Sequence, residues 1–437
     1  MRNPLEFDHA SINNKAKEIP AVENKPEQGA EMTKPFNLKF FVTDHSADDA
    51  GTGSPEKLKA LYEDIAKDGV TSVRYDWRWN KIEPQKGELQ NERLDRYGQA
   101  VEIMKEAKLE VPTVIFSSIP KWALELYNKD KEEFFNAYQD YVEGVKNKLM
   151  QTREKTGETI ERFQILNELN NAFYTPIDSH DLPRLCAITR EKLKDYNPDM
   201  KLVASVFAGN LTEGSLPKVV EKATFGWLRI GTYIEEYLDK YKDELSNFDV
   251  FSIDYYPGMF HIPVTEAREN KKEIFKQLGL LKKTMEEIAG WNKEYELDEV
   301  GMQTNVPWMG DKRNQDRQRY FYDVFFREFK QMLLDFQRKG IELPTRVGLY
   351  EAIDEAPKNI VGKILRKATP FPEHDMGTRK DDMSPKEILQ GNRHVPEEKD
   401  EKGEKKKKDR GPSQLSNIIR YMNTPVRKIK EQELGKI

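Results

Sequence analysis

Short runs of apolar or β-branched residues recur through the middle of the chain, and segments with helical patterns separate them. The runs begin near Leu38, Thr71, Val111, Phe163, Leu202, Phe248, Val300 and Val347. After each of the first seven, apolar residues recur at every third or fourth position, which is typical of a helix packed on a sheet. Eight strand-then-helix units predict an α/β fold, a (β/α)8 TIM barrel whose active site lies at the C-terminal ends of the strands.

A doubly wound parallel sheet is the structural alternative to the barrel. That fold would be favoured by a glycine-rich phosphate-binding loop after the first strand. The segment after the first apolar run, KFFVT, is DHSADDAGTGS, which contains glycines but neither the GxGxxG nor the GxxxxGK[ST] spacing. The barrel is therefore the preferred prediction.

The two ends of the chain lack this rhythm. Residues 1–36 are polar and proline-spaced, which predicts a mostly disordered leader before a barrel over residues 37–370. Residues 371–437 are charge-dense, with EEKDEKGEKKKKDRG as the extreme, and predict a mostly disordered tail. A transient helix on this tail, rather than a docked one, is the preferred interpretation of Leu415, Ile418, Ile419 and Met422. The charged tails could bind an unknown protein partner.

Composition limits the classes of partner and the compartment. The chain has 437 residues, of which 34% are charged, but its net charge is only −5, so the composition predicts neither nucleic acid nor a membrane surface as a partner. Cys186 is the only cysteine, which excludes an internal disulfide and fits a reducing compartment. We find neither the apolar stretch of a secretory signal nor a run of about 20 apolar residues, and expect a cytoplasmic protein.

Polar and aromatic side chains gather where the predicted strands end. The candidate substrate-binding residues are Arg74, Trp79, Trp122, Asn167, Asp254, Tyr256, Trp308 and Glu351. Carboxylates and amides bind sugar hydroxyls, and aromatic rings stack on the CH faces of sugars, so the mixture predicts a glycoside, oligosaccharide or polysaccharide ligand. Histidines are too few for a histidine-rich metal site, and we expect no metal and no organic cofactor; His45 is interpreted as a hydrogen-bonding pocket or loop residue.

Several of these strand ends carry a family resemblance. Arg74 ends the second unit and is followed by a W..IEP..G pattern, and a P.W pattern follows the third. The fourth contains ILNEL, the sixth FDVFSIDYYPG and the eighth GLYEAIDEAPK. In this order the motifs resemble the retaining glycoside hydrolases of clan A, which are (β/α)8 barrels, over roughly Asn37 to Lys367. The family within the clan stays open.

The resemblance implies roles for five residues. Glu168 matches the general acid/base, and Asn167 matches the amide that binds the sugar 2-hydroxyl. Arg74 matches the arginine that holds the nucleophilic carboxylate, and Tyr256 the tyrosine that faces it. Asp254 stands where some members of the clan carry histidine.

Under this resemblance, the sequence departs from the clan at the nucleophile. Gln303 is assigned to that position, and an amide is a poor nucleophile, so ordinary double displacement is in doubt and Glu168 is expected to be a weaker acid. Glu299 precedes Gln303 by four residues and is expected to lie ~13 Å lower than Gln303 on an extended strand, too far to replace it as the nucleophile. Arg74 then lacks its anion, and we expect Asp254, Glu351 or another carboxylate to approach it.

Three interpretations follow from these residues. The first is a glycoside hydrolase that cleaves O-glycosyl bonds of β-linked carbohydrate with a displaced nucleophile or with assistance from the substrate. The second is a catalytically inactive protein that binds carbohydrate or serves as a scaffold, which Gln303 favours. The third is an unrelated barrel enzyme, which would be favoured if Arg74, Glu168 and Gln303 did not share a pocket.

Overall fold

Eight parallel strands form a closed barrel in which β1 pairs with β8, which confirms the predicted TIM fold. The computed structural model describes residues 34–45, 54–110, 112–172, 174–208, 233–256, 271–301, 311–350 and 413–425. The strands are β1 (Lys39–Asp44), β2 (Ser72–Asp76), β3 (Thr113–Phe116), β4 (Arg162–Ile165), β5 (Lys201–Phe207), β6 (Val250–Tyr255), β7 (Glu294–Val300) and β8 (Arg346–Tyr350).

Helices connect the strands and cover the outside of the barrel. In chain order they are α1 (Pro55–Lys67), α2 (Trp79–Ile82), α3 (Asn91–Glu106), α4 (Lys121–Lys129), α5 (Lys131–Thr156), α6 (Leu182–Leu193), α7 (Ile234–Lys240), α8 (Lys242–Leu245), α9 (Lys271–Ala289), α10 (Asp311–Lys339) and α11 (Gln414–Asn423). The helix after β1 follows from local chemistry, because Ser54 caps α1 by accepting a hydrogen bond from the Lys57 amide, and Pro55 occupies its first turn.

Strand β7 lies earlier in the chain than the sequence predicts. The seventh run was expected to begin near Val300, whereas Val300 is the last residue of β7. The strand sequence, EYELDEV, is rich in acidic residues and therefore does not resemble a buried strand, yet its last six residues are buried. The charges are tolerated because they point into a barrel interior that supplies cations.

The barrel interior below the site is ionic. Glu296 of β7 is fully buried, with an oxygen 3.4 Å from Arg162 of β4 and 4.0 Å from Arg346 of β8. Arg346 also donates to Thr113 of β3 at 3.0 Å. These residues come from four strands, so no local sequence pattern could have paired them.

A β-bulge interrupts β7 at Asp298. On one side Ile253 pairs with Leu297, and the next residue of β6, Asp254, pairs with Glu299, so β7 contains one extra residue. The register toward β8 shifts over the same interval. Consecutive residues of a regular strand point to opposite faces, but a bulge lets two consecutive side chains turn to one side. Asp298 and Glu299 therefore both reach the barrel interior.

Gly348 of β8 provides the space for this bulge. A Cβ atom at this position would collide with the backbone carbonyl of Asp298 and lie 2.6 Å from the ring of Phe41. Only glycine allows β7 and β8 to approach this closely here.

Helix α11 is docked on the barrel, in contrast to the transient tail helix that the sequence favoured. Leu415, Ile418 and Met422 have no exposed surface. The side chain of Asn423 accepts from the Leu38 amide at 2.8 Å and donates to the Leu38 carbonyl at 3.0 Å. The helix packs on α10 and, through Ile419, near Gly69 at the end of α1, which is the place of the eighth barrel helix.

Most of the two predicted tails, residues 1–33, 371–412 and 426–437, lies outside the described residues, as do residues 351–370 at the end of the predicted barrel, so the disorder of the tails and any partner remain predictions. Within the described part of the chain, no helix is both long enough and apolar enough to cross a membrane. The cytoplasmic location remains a prediction.

Candidate active site

A cavity of about 330 Å³ opens at the C-terminal ends of the strands. Residues from the ends of all eight strands meet there. They include Arg74 on β2, Asn167 and Glu168 after β4, Tyr256 after β6, Glu299 on β7 and Tyr350 at the end of β8. The guanidinium and the acid that the sequence assigned to one pocket therefore do share it. The third interpretation, an unrelated barrel enzyme, loses part of its support.

Arg74 is the buried centre of the site. Its Nε lies 2.6 Å from Asp298 Oδ2, and its Nη1 contacts the Glu299 carboxylate. Its Nη2 donates to Asn167 Oδ1 at 2.7 Å. Burial by itself would lower the pKa of this guanidinium, but Asp298, Glu299 and the other nearby carboxylates outweigh burial and raise it. The expectation that a carboxylate approaches Arg74 is confirmed, and two consecutive residues of β7 provide it.

Glu299 lies in the cavity, and the expectation that it would lie too low on its strand is wrong. Its carboxylate contacts Arg74 through one oxygen and accepts from the Tyr256 hydroxyl through the other. The error has two physical sources, the earlier position of β7 and the bulge at Asp298. Gln303, the residue assigned to the nucleophile position, lies outside the described residues.

Glu168 follows β4 in a left-handed backbone conformation, with φ of 45°. Such a conformation is costly for a non-glycine residue and persists where surrounding contacts enforce it. The Glu168 amide donates to Ser205 Oγ at 3.2 Å, and Asn171 Nδ2 donates to the Glu168 carboxylate at 2.6 Å. Neighbouring Asn170 exchanges two hydrogen bonds with the backbone of Phe207. These contacts aim an acid that is only 5% exposed into the cavity.

Three carboxyl groups converge at the floor of the site. One oxygen from each of Glu168, Asp254 and Glu299 lies within 4.8 Å of the others. One cation could bridge oxygens at such spacing, but Arg74 already supplies the positive charge beside Glu299. Burial, followed by the negative charge of Glu299, raises the pKa of Asp254 well above its usual range. The arrangement suits carboxyl groups that share protons better than it suits a metal centre.

Asn167 has a fixed amide orientation. Its Oδ1 accepts from Arg74 Nη2 and, at 2.9 Å, from Gln164 Nε2. Both donors hold the amide oxygen toward the barrel interior, so the amide nitrogen is left to donate toward the cavity. This geometry fits the sugar-binding role that the resemblance implies.

A second polar wall faces the carboxylates from β1, β2 and β3. His45 Nδ1 lies 2.6 Å from Asp76 Oδ2, and Ser117 donates to Asp76 Oδ1 at 2.6 Å. Burial would raise the pKa of Asp76, but His45, Arg78 and Ser117 together hold it well below its usual range. All four residues line the cavity, in agreement with the interpretation of His45 as a hydrogen-bonding pocket residue.

The aromatic residues of the cavity differ from the predicted ones. Trp79 is 2% exposed and stacks on Tyr141 in the core, and half-buried Trp122 packs on Trp79. Neither tryptophan lines the cavity as the described residues define it. The tyrosine and phenylalanine rings that do line it are Tyr174, Phe207, Tyr350 and the predicted Tyr256, which packs on both Phe207 and Tyr350. Trp308 and Glu351, the remaining predicted residues, lie outside the described residues.

Sequence reasoning missed Glu299, Asp298 and Ser205. The signal for the first two was the acidic run LDEV, immediately before Gly301. This run ends a strand with acidic residues, as ILNEL does. No local signal marked Ser205, which is one of several small residues in KLVASVF.

Comparison with protein-family models gave no match, and comparison with curated protein sequences gave none either. Solved structures do match. The exo-β-1,4-mannosidase Op5Man5 from Opitutaceae bacterium strain TAV5 has a TM-score of 0.53 at 13% identity, over 91% of this chain and 62% of the mannosidase. The chain therefore spans less than two thirds of that enzyme's length.

Two further structures superpose at similar levels. GH5_18 from Streptomyces cattleya in complex with GlcNAc has a TM-score of 0.56 at 12% identity, over 91% of this chain and 83% of that one. GH5_18 from Bifidobacterium longum subsp. infantis has a TM-score of 0.52 at 14% identity, over 81% and 76% of the two chains. The chain thus shares its (β/α)8 barrel fold with these solved structures.

Proposed function

We propose that this protein is a retaining glycoside hydrolase that cleaves β-linked sugars, with Glu168 as the acid/base and Glu299 as the nucleophile. The observation that carries the proposal is the environment of Glu299. Its carboxylate touches Arg74 and Tyr256, the two kinds of residue expected around a clan A nucleophile, and lies beside Glu168.

The separation of the two carboxyl groups supports retention of configuration. In retaining glycosidases the carboxyls are about 5–5.5 Å apart, whereas inverting enzymes keep them about 6.5–9.5 Å apart to admit water. One oxygen of Glu168 and one of Glu299 lie within 4.8 Å of each other. That spacing matches the separation in retaining enzymes and is shorter than the separation in inverting enzymes.

The reaction proceeds in two steps. Glu299 attacks the anomeric carbon and forms a glycosyl ester while Glu168 gives its proton to the leaving oxygen; Glu168 then takes a proton from water, which attacks the same carbon and releases Glu299. Arg74 and the Tyr256 hydroxyl hold the nucleophile in one orientation. The Asn167 amide nitrogen donates to a sugar hydroxyl. No metal or organic cofactor has a role in this scheme.

This proposal replaces Gln303 as the residue at the nucleophile position. The alternative of a catalytically inactive carbohydrate-binding protein rested on an amide at that position, and it loses that basis if Glu299 is the nucleophile. The structural neighbours include an exo-β-1,4-mannosidase and a protein in complex with GlcNAc. β-Mannosides and β-N-acetylglucosaminides therefore head the list of test substrates, followed by β-glucosides.

The test is hydrolysis of a panel of aryl β-glycosides by the unaltered chain and by single variants. Glu299→Ala should abolish turnover, and azide should restore cleavage by forming the α-glycosyl azide, because azide enters from the face that the nucleophile occupied. Glu168→Ala with azide should instead give the β-glycosyl azide. Glu168→Gln should lower kcat on substrates with poor leaving groups by about 10²–10⁴-fold.

Gln303→Ala is the matched control and should retain activity. Activity that appears only in Gln303→Glu would show that the nucleophile position is residue 303 and that the unaltered site is silent. Inverted configuration of the first product, followed by proton NMR, would also contradict the proposal.

A further inference from the structure

Asp254 lies beneath the cavity and has no exposed surface. It belongs to β6 and is not among the residues that line the cavity, so it does not touch a bound sugar. Among the described residues, the charged or titratable groups that act on it are Arg74 of β2, Glu168 after β4, Tyr256 after β6, and Asp298 and Glu299 of β7.

The charges around Asp254 do not balance if every carboxyl is ionised. Four buried carboxyl groups, those of Glu168, Asp254, Asp298 and Glu299, surround one guanidinium, that of Arg74. Arg346 also acts on Asp298, but it lies 4.0 Å from a fifth buried carboxyl group, that of Glu296. Carboxylates within a few ångströms of each other in a buried site cannot all remain ionised. At least one of them holds a proton in addition to the proton that an acid catalyst carries.

Contact with the Arg74 guanidinium separates the three carboxyl groups of β6 and β7 and points to Asp254 as the holder of that proton, because Asp298 and Glu299 are paired with Arg74 and Asp254 is not. Glu299 accepts from Arg74 and Tyr256, and Asp298 lies against Arg74 Nε. Asp254 accepts only from Ser205, at its Oδ2, while its buried Oδ1 has no hydrogen-bond partner among the described residues. The ionised form is therefore stabilised least at Asp254, and a proton on Oδ1 would convert an acceptor without a donor into a donor.

Ser205 connects Asp254 with the acid/base residue. The Ser205 hydroxyl donates to Asp254 Oδ2 at 2.8 Å, and its oxygen accepts from the Glu168 amide at 3.2 Å. Asp254 thereby fixes the rotation of the Ser205 hydroxyl, and Ser205 supports the left-handed backbone of Glu168.

We propose that Asp254 is a positioning residue that keeps a proton beneath the two catalytic carboxyl groups and orients Glu168 through Ser205. The claim that Asp254 orients Glu168 for catalysis rests on the glycosidase function proposed above. The claim that Asp254 holds a proton does not depend on that function. A neutral Asp254 leaves Glu299 as the main negative charge beside the acid, which lets Glu168 lose and regain its proton during turnover.

The first experiment measures the proton without using activity. Unfolding by urea is followed at a series of pH values for the full chain and for Asp254→Asn. The variant Asp195→Asn, which replaces an exposed aspartate, is the matched control and should unfold with the pH dependence of the unaltered chain. If the folded chain holds a proton on Asp254, the unaltered chain should lose stability as the pH rises, because unfolding releases that proton. The unfolding constant of the unaltered chain, divided by that of Asp254→Asn, should then rise about tenfold per pH unit between about pH 5 and pH 7. A ratio that does not change with pH would overturn the proposal.

Failure of Asp254→Asn to fold would also count against a neutral Asp254, because an amide and a neutral carboxyl have the same charge and nearly the same shape. In that case the ¹³C resonances of the aspartate carboxyl carbons in the unaltered chain give a second measurement. One resonance, absent in Asp254→Ser, should remain at the position of a protonated carboxyl at neutral pH. A carboxylate position for that resonance would refute the proposal.

The second experiment tests positioning through kinetics. Asp254→Asn should leave the alkaline limb of the kcat/KM profile in place, whereas an ionised Asp254 would make this variant shift that limb downward by about one pH unit or more. Ser205→Ala should lower kcat by about tenfold with KM little changed, and Ser205→Thr, which keeps the hydroxyl, should restore it. An unchanged kcat in Ser205→Ala would refute the role of Ser205. If the unaltered chain hydrolyses no glycoside, the glycosidase proposal fails. The first experiment still determines whether Asp254 is protonated in the folded chain.

Discussion

Replacement of Gly348, where β7 and β8 approach closely, tests whether the bulge of β7 places Glu299 in the cavity. In Gly348→Ala the new Cβ would lie 2.6 Å from two ring atoms of Phe41 and would collide with the Asp298 carbonyl. The ring is fully buried, and the guanidinium of Arg346 lies over it at 4.7 Å, so it has little room to retreat. The substitution therefore pushes on the bulge that holds the acidic residues of β7 in the barrel.

The expected cost follows from the two ways in which the site could respond. If the Phe41 ring and the Asp298 carbonyl both shift while the bulge keeps its register, the cost is that of an overpacked core, about 1–3 kcal/mol. If the bulge yields instead, Asp298 turns away from Arg74 and a buried ion pair is broken, which costs about 3–5 kcal/mol. We therefore expect the free energy of unfolding to fall by about 2–5 kcal/mol, and kcat to fall with it because Glu299 moves with the bulge.

The assay is urea unfolding together with aryl glycoside hydrolysis. Gly279→Ala in α9 is the matched control, since no atom lies within 4 Å of a Cβ built there. Alanine at this helical position should stabilise the chain by about 0.5–1 kcal/mol. A Gly348→Ala variant within about 0.5 kcal/mol of the unaltered chain, with full activity, would refute the link between this glycine, the bulge and the nucleophile.

Three further predictions concern stability and reactivity away from the cavity. Ile418→Ala should lower the free energy of unfolding by about 2–5 kcal/mol because its side chain is fully buried on the barrel, whereas exposed Arg420→Ala should change it little; equal effects would contradict docking of α11. Burial lowers the pKa of Lys330 from 10.5 to about 8, so the unfolded chain binds more protons between these values, and stability should rise with pH across that window. Lys330→Met should remove this rise in urea titrations. Burial raises the pKa of the Cys186 thiol to about 12, so a thiol reagent at pH 8 should modify it only as fast as the chain unfolds; rapid labelling of the native chain would exclude its burial.

Several functional residues could be predicted from the sequence because their signals are local. Arg74 and Glu168 each end a short apolar run, and Tyr256 follows one, so the rhythm of strands and helices places all three at the C-terminal end of the barrel. The structure agrees, and all three line one cavity. The two tryptophans were assigned wrongly for the complementary reason, since sequence position does not tell whether a ring near a strand end faces the cavity or the core.

The prediction of the seventh strand failed where the signal was not local. Glu294, Glu296, Asp298 and Glu299 make β7 resemble a solvent-exposed segment, and the cations that neutralise them belong to β2, β4, β5 and β8. A pattern of apolar residues cannot reveal an acid whose partner belongs to another strand, far away in the sequence. The strand was therefore shifted toward Val300, and an amide was assigned to the nucleophile position.

The sequence by itself determined the barrel, because most of its strands and helices carry local apolar signals, and α1 a capping signal as well. It also placed the arginine, the acid and the tyrosine at strand ends. Only the tertiary structure decided which residue of the seventh strand reaches them. That choice depends on an extra residue, Asp298, in the register with both neighbouring strands, on a glycine across the sheet, and on a buried guanidinium that draws two consecutive carboxylates inward.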